Sequence, residues 1–178
     1  MPVRMVEPGE LEVVVGIHRR AFGSDVEANL ARALMHDPAY LPELSLAGER
    51  AGRLLGHVVF TRMWLVPDER GPEVPLALLA PLAVVPEAQR TGVGTAVVQA
   101  AIRRARELGE IAMLVLGHPE YYPRFGFEPA LPRGIRAPYP IEPAEAWMVL
   151  PLSPAAEELP SGVVRVADPI AGPDMWRE

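Results

Sequence analysis

Between an apolar run and an amphipathic stretch lies Gln89-Arg90-Thr91-Gly92-Val93-Gly94-Thr95. Glycines at this spacing let successive backbone N–H groups curl around an anion, and a helix starting there adds positive potential. The chemistry on offer is the binding of a phosphate or pyrophosphate. Two rival phosphate motifs fail on the letters. A P-loop needs Lys before Ser or Thr, yet all 17 cationic side chains of this chain are Arg. A dinucleotide fingerprint begun at Gly92 needs Gly or Ala at position 97, where Val97 stands, and no acidic ribose-binding residue follows the next strand. Read alone, the segment also fits a tight turn whose glycines only permit positive φ.

The elements that must position this turn follow from hydrophobic spacing. Leu76–Val85 is a near-continuous apolar run, as a strand buried on both faces requires, and Pro81 within it marks a bulge or edge. Thr95–Leu108 carries Val97, Val98, Ala101, Ile102, Ala105 and Leu108 on one helical face. Arg103, Arg104 and Arg106 crowd its C-terminal end, which suits the helix dipole, and Gly109 ends it. Ile111–Leu116 is a second buried strand, so strand, helix and strand imply a parallel pair with a right-handed crossover. Upstream, Val3–Val6 reads as a strand and Leu11–Phe22 as a helix ended by Gly23. Ser24 and Glu27 have capping-box spacing for a second helix that Asp37-Pro38 stops. Leu44–Ala47 and Leu54–Leu65 form a hairpin, with His57 half-buried near the start of its second strand. Ala146–Leu152 is the last full strand.

Composition narrows the function classes. A chain of 178 residues, 49% apolar and 22% charged, suits one globular domain, or one domain with a tail. No cysteine is present, which removes disulfides, thiolate metal sites and a thioester on the protein. A net charge of -6 argues against nucleic acid as a partner, and the lack of Lys removes Schiff-base chemistry. The first residues lack the basic-then-apolar order of a signal peptide, and the longest apolar run is too short to span a membrane. A cytoplasmic protein without membrane attachment is expected.

Gln89–Gly94 matches the Q/R-x-x-G-x-G/A signature of the GCN5-related N-acetyltransferases (GNAT), and the order of elements over residues 1–152 resembles that family. Gly117-His118-Pro119-Glu120-Tyr121-Tyr122-Pro123-Arg124-Phe125-Gly126-Phe127 is similar to the matching segment of its YhbS-like branch. The resemblance implies an α/β (α+β) GNAT fold, a central twisted mixed sheet with a splayed parallel strand pair flanked by helices. It also implies that residues 1–152 form the acyl-CoA N-acyltransferase domain. Residues 153–178 form a tail packed on that domain or on a neighbouring subunit.

What the resemblance implies for chemistry is an N-acetyltransferase that uses acetyl-CoA as co-substrate and no metal. Backbone groups of Leu82, Ala83 and Val84 would meet the pantetheine. Gln89, Arg90, Thr91, Gly92, Val93, Gly94 and Thr95 would cradle the pyrophosphate, with Arg90 and Arg124 as further phosphate partners or as ordinary surface pairs. Tyr122, four residues before Gly126, matches the family tyrosine that protonates the leaving thiolate, while Tyr121 packs or walls the pocket. Amine deprotonation has three readings, taken in this order: water and backbone carbonyls without a dedicated base, then His118, then Glu27. The acceptor is a primary amine of a small molecule or peptide, and the protein is a monomer or homodimer. The alternative is a catalytically weak CoA-binding or acyl-CoA-sensing module.

Overall fold

Two glycines set how closely the central helix approaches the sheet. Gly48 on β2 (Leu46–Arg50) lies opposite Gly56 on β3 (Arg53–Pro67) in an antiparallel ladder. A Cβ on Gly56 would sit 2.7 Å from Val93 Cγ1, and one on Gly48 would sit 3.0 Å from Val97 Cγ2. Val93 and Val97 are one turn apart on α3 (Val93–Glu107), so this pair of knobs seats in a groove that only missing side chains can make. The remaining inward residues of α3, Val98, Ala101, Ile102 and Ala105, are buried.

The computed structural model describes residues 1–177 and divides into two compact units, residues 1–60 with 80–107 and residues 61–79 with 108–178. Its strands belong to a mixed sheet. In the first unit β1 (Val3–Met5), β2 and the first half of β3 are antiparallel neighbours. Helices α1 (Leu11–Phe22) and α2 (Asp25–Met35) pack on each other. Gly23, at φ 64°, caps α1 and turns the chain toward α2. Gly56 faces α3, whereas its neighbour His57 meets His18 of α1. Successive side chains alternate between faces, so α1 and α3 cover opposite faces of this part of the sheet.

In the second unit β4 (Val74–Val84) contributes its first half and pairs in parallel with β5 (Ala112–Leu116), Ala77 opposite Met113 through Leu79 opposite Val115. That ladder stops at Leu79, one residue before the cis Ala80–Pro81 bond. Pro81 has no N–H to give to a ladder. On its other side β5 pairs along its whole length with β8 (Trp147–Pro151). Shorter strands complete this unit: β6 (Glu128–Pro129) beside β8, and β7 (Ile135–Arg136) parallel to β9 (Gly162–Arg165). The C-terminal stretch is thus woven into the unit, since β9 also pairs with β3 from Trp64 to Pro67. Trp176 stacks edge-on against Trp147 at 5.4 Å, and its Nε1 donates to Ile170 O at 2.7 Å.

Candidate active site

The glycine-rich turn lies in the first unit. A 3-10 turn, Pro86–Ala88, leads into Gln89, whose Nε2 donates back to Val84 O at the end of β4, at 3.0 Å. Thr91 Oγ1 donates to Ala88 O at 2.6 Å, closing the loop from inside. Arg90 and Gly92 both adopt left-handed conformations, φ 62° and 91°, and this alternation turns successive amides toward one concavity. The first helical bond of α3 runs from Ala96 N–H to Gly92 O at 3.0 Å. The amides of Val93 and Gly94 precede it and have no carbonyl partner inside the helix, which leaves them free of intrahelical bonds at an end where helix geometry favours an anion. A Cβ on Gly92 would meet nothing within 4 Å, so the space in front of the turn is open to a ligand. Arg90 is exposed beside it.

Ion pairs brace the turn from below. Glu87 accepts from Arg20 of α1 at 2.7 Å and lies 3.5 Å from Arg53. The Arg20 guanidinium, followed by a backbone hydrogen bond, holds the Glu87 carboxyl below its usual range. Leu82 and Val84 are half-buried and Ala83 is buried on the last residues of β4. The Val84 carbonyl is already engaged by Gln89.

Tyr122 lies in the second unit, on a 3-10 turn that starts after β5. Its ring lies over Gly117: a Cβ there would come within 2.8 Å of Tyr122 Cδ2 and 3.3 Å of Cζ, with Cε2 closer still. Phe127 at 5.6 Å and Tyr121 at 5.0 Å meet the ring edge-to-face, leaving Tyr122 only 8% exposed. Gly126, at φ 101°, ends the turn and sends Phe127 back against Tyr122. His118 is exposed, and its carbonyl accepts from the N–H groups of Tyr121 and Tyr122 at 3.0 and 3.4 Å. Arg124 Nε donates to Tyr121 O at 2.8 Å, and its guanidinium lies 4.3 Å from the centre of the Tyr121 ring. The two tyrosines therefore divide their work: one ring rests on the strand end and the other carries the arginine.

Two residues differ from their sequence reading. Ser24 Oγ accepts from Val26 N–H at 3.0 Å, one residue earlier than a capping box with Glu27 requires. Glu27 Oε2 is buried without a hydrogen-bond donor. His57 is not half-buried but wholly enclosed, and its Nδ1 is 2.9 Å from His18 Nε2. Burial pushes His18 down to about 4 and His57 well below its ordinary value, with the neighbouring His18 adding to the effect on His57. This pair, 39 residues apart in sequence, and the Gly117 seat of Tyr122 were not visible in the letters. A glycine directly after an apolar strand was the only available hint of the latter. Among the described residues, no group of three His, Asp or Glu side chains is arranged to hold a metal ion, and no helix is long and apolar enough to cross a membrane.

Residues 14–127, which include both the turn and Tyr122, match the model of the Acetyltransferase (GNAT) family. The chain belongs to the GNAT acetyltransferases. It is 41% identical over 156 residues to the uncharacterized N-acetyltransferase YjhQ of Escherichia coli strain K12, covering 86% of this chain and 84% of the relative. It is 31% identical over 140 residues to the uncharacterized N-acetyltransferase YhbS of the same strain, covering 79% and 81%. The solved structure of Escherichia coli YhbS in complex with CoA superposes with a TM-score of 0.83 at 27% identity, over 96% of this chain and 92% of that one. A Brucella melitensis GNAT acetyltransferase solved with acetyl-CoA shares the fold at 23% identity, with a TM-score of 0.75 over 95% and 97% of the two chains. These likenesses make the chain an acyltransferase of the YhbS-like branch with the mixed-sheet GNAT fold.

Proposed function

We propose that this GNAT acetyltransferase moves an acetyl group from acetyl-CoA to a primary amine by direct attack in a ternary complex. The observation that carries the reading is the turn that opens α3. Alternating left-handed residues, Arg90 and Gly92, and the leading amides of the helix offer an open cradle suited to a pyrophosphate. Val93, Gly94, Thr91 and Thr95 would hold the pyrophosphate, with Arg90 reaching the phosphates from beside the turn. The backbone of Leu82 and Ala83 would carry the pantetheine amides. The bound thioester supplies an activated acetyl group and a sulfur leaving group.

The chain's own residues handle the protons. The amine nitrogen, neutral after giving a proton to water, forms the new bond to the carbonyl carbon as the carbon–sulfur bond breaks. Tyr122 gives its hydroxyl proton to the departing sulfur, and the proton shed by the nascent amide nitrogen restores it through solvent, so the products are an amide and a free thiol. The Gly117 seat and the surrounding aromatic rings hold the phenol against rotation, which is what a positioned acid requires. His118 starts the turn that carries Tyr122 and serves as an alternative proton acceptor for the amine.

Calorimetric titration of acetyl-CoA tests the cradle. Gly92→Val places a β-branched residue at φ 91°, a conformation such side chains avoid. The variant is expected to bind acetyl-CoA roughly tenfold more weakly or worse, a loss of about 1.4 kcal/mol. Equal affinity would remove the turn from the cofactor site. Tight binding by the wild type with no turnover on any amine would instead favour an acyl-CoA-sensing module.

A further inference from the structure

We infer that Arg50, at the tip of the β2–β3 hairpin, binds the phosphomonoester on the ribose of CoA and so selects CoA over its dephosphorylated form. The inference rests on the proposed use of acetyl-CoA and adds to it a phosphate contact outside the Gln89–Thr95 turn. Its basis is a group of like charges held together beside that turn. Arg50 and Arg53 stand directly opposite each other in the β2–β3 register. Between them Ala51 at φ 52° and Gly52 at φ 76° form a two-residue turn with both φ values positive, which fixes that register. Like charges directly opposite on an antiparallel pair destabilise it. Arg50 Nη1 donates to Thr91 Oγ1 at 3.4 Å, which brings the hairpin tip against the turn at the residue that follows Arg90.

Nearby carboxylates do not neutralise these cations. Glu87 accepts from Arg20 at 2.7 Å and lies 3.5 Å from Arg53. Glu49 lies 3.3 Å from Arg4. Among the described residues, neither Arg50 nor Arg90 forms an ion pair with a carboxylate. A cationic corner of this kind runs against the net charge of -6, and a bound anion relieves its repulsion. A guanidinium offers five N–H groups in a planar fork that fits a phosphate bidentately. In Arg50 that fork is used by one long bond to a neutral hydroxyl. CoA carries two separate anionic groups, the pyrophosphate and the ribose phosphomonoester. The pyrophosphate suits the amides of the turn and Arg90. The Thr91 hydroxyl is committed to Ala88 O inside the loop, so Arg50 meets the loop at its flank, where the second anion would lie.

The test is calorimetric titration of the full chain with acetyl-CoA and with acetyl-dephospho-CoA, which lacks only the ribose phosphate. Wild type is expected to bind acetyl-CoA roughly 10-fold more tightly, the lower end for a charge-assisted hydrogen bond because the group is exposed. Arg50→Gln should lose most of that difference. Its acetyl-CoA affinity should fall about 10-fold, with acetyl-dephospho-CoA affinity within about twofold of wild type. Arg50→Lys keeps the charge without the fork and should fall between the two. Thermal unfolding of the unliganded Arg50→Gln protein should match wild type, since the side chain is exposed and its one bond is long. A disturbed hairpin or turn would weaken both ligands alike, so an equal loss for the two overturns the inference. An Arg50→Gln protein that still discriminates between them as wild type does also overturns it. Wild type that binds both ligands equally removes the inference alone, whereas wild type that binds neither removes the cofactor reading and the inference with it.

Discussion

Replacing Gly117 by Ala should separate the position of Tyr122 from its chemistry. The added methyl would lie within 2.8 Å of Cδ2 and nearer still to Cε2, whereas carbon atoms rest about 3.5–4.0 Å apart. The ring must therefore move by about 1 Å. It has little room to do so, because Phe127 and Tyr121 already meet it at 5.6 and 5.0 Å between ring centres. Overpacking of this kind costs about 1–3 kcal/mol, a fall of roughly 3–10 °C in melting temperature for a domain of this size. A displacement of about 1 Å at a reacting group can lower turnover about 100-fold. The assay is steady-state thiol release at saturating amine, paired with thermal unfolding and acetyl-CoA titration. The expected pattern is lost kcat, lowered melting temperature and retained acetyl-CoA affinity, since the Gln89–Thr95 turn is untouched. Wild-type kcat in a stably folded Gly117→Ala protein would refute the claim that this seat positions the acid.

Acid should weaken the fold through the enclosed histidine pair. His18 is held down to about 4 by burial and His57 is also lowered, so both stay neutral in the folded state while the unfolded chain takes up protons below about 6.5. A lowered folded-state value means stability is intact above about 6.5 and is lost as pH falls toward 4. For His18 alone the loss between pH 7 and pH 5 is about 2 kcal/mol; urea unfolding at the two pH values should show it, and His18→Leu/His57→Leu should flatten it. The C-terminal stretch should prove integral to the second unit: Trp176→Ala removes the packing on Trp147 and the bond to Ile170 O, and should cost about 3–5 kcal/mol in denaturant unfolding. A melting curve unchanged by that substitution would mean the stretch is only loosely held.

Local signals in the sequence carried the reading of the elements and of the turn. Apolar periodicity marked α1, α2, α3 and the strands β3, β4 and β5, because each buries a face whose spacing is fixed by its own backbone. The helix after the turn starts at Val93 rather than Thr95, since Gly92 O already accepts the Ala96 N–H bond and Gly94 is tolerated inside the first turn. The place of β9 was not legible, because its partner stretch on β3 begins at Trp64, about one hundred residues earlier. The same distance effect hid the contact between His18 and His57. Glu27 was misread for a different reason. A capping box and an inward-facing carboxylate share the same letters, and only the choice of Val26 N–H by Ser24 separates them.

The central claim, acetyl transfer to an amine with Tyr122 as the acid, is tested most directly by thiol release from acetyl-CoA in wild type and Tyr122→Phe. Losing a positioned general acid typically costs about 10²- to 10⁴-fold in rate. Tyr122→Phe should lower kcat by that order with acetyl-CoA affinity intact. Equal kcat in the two proteins would contradict it.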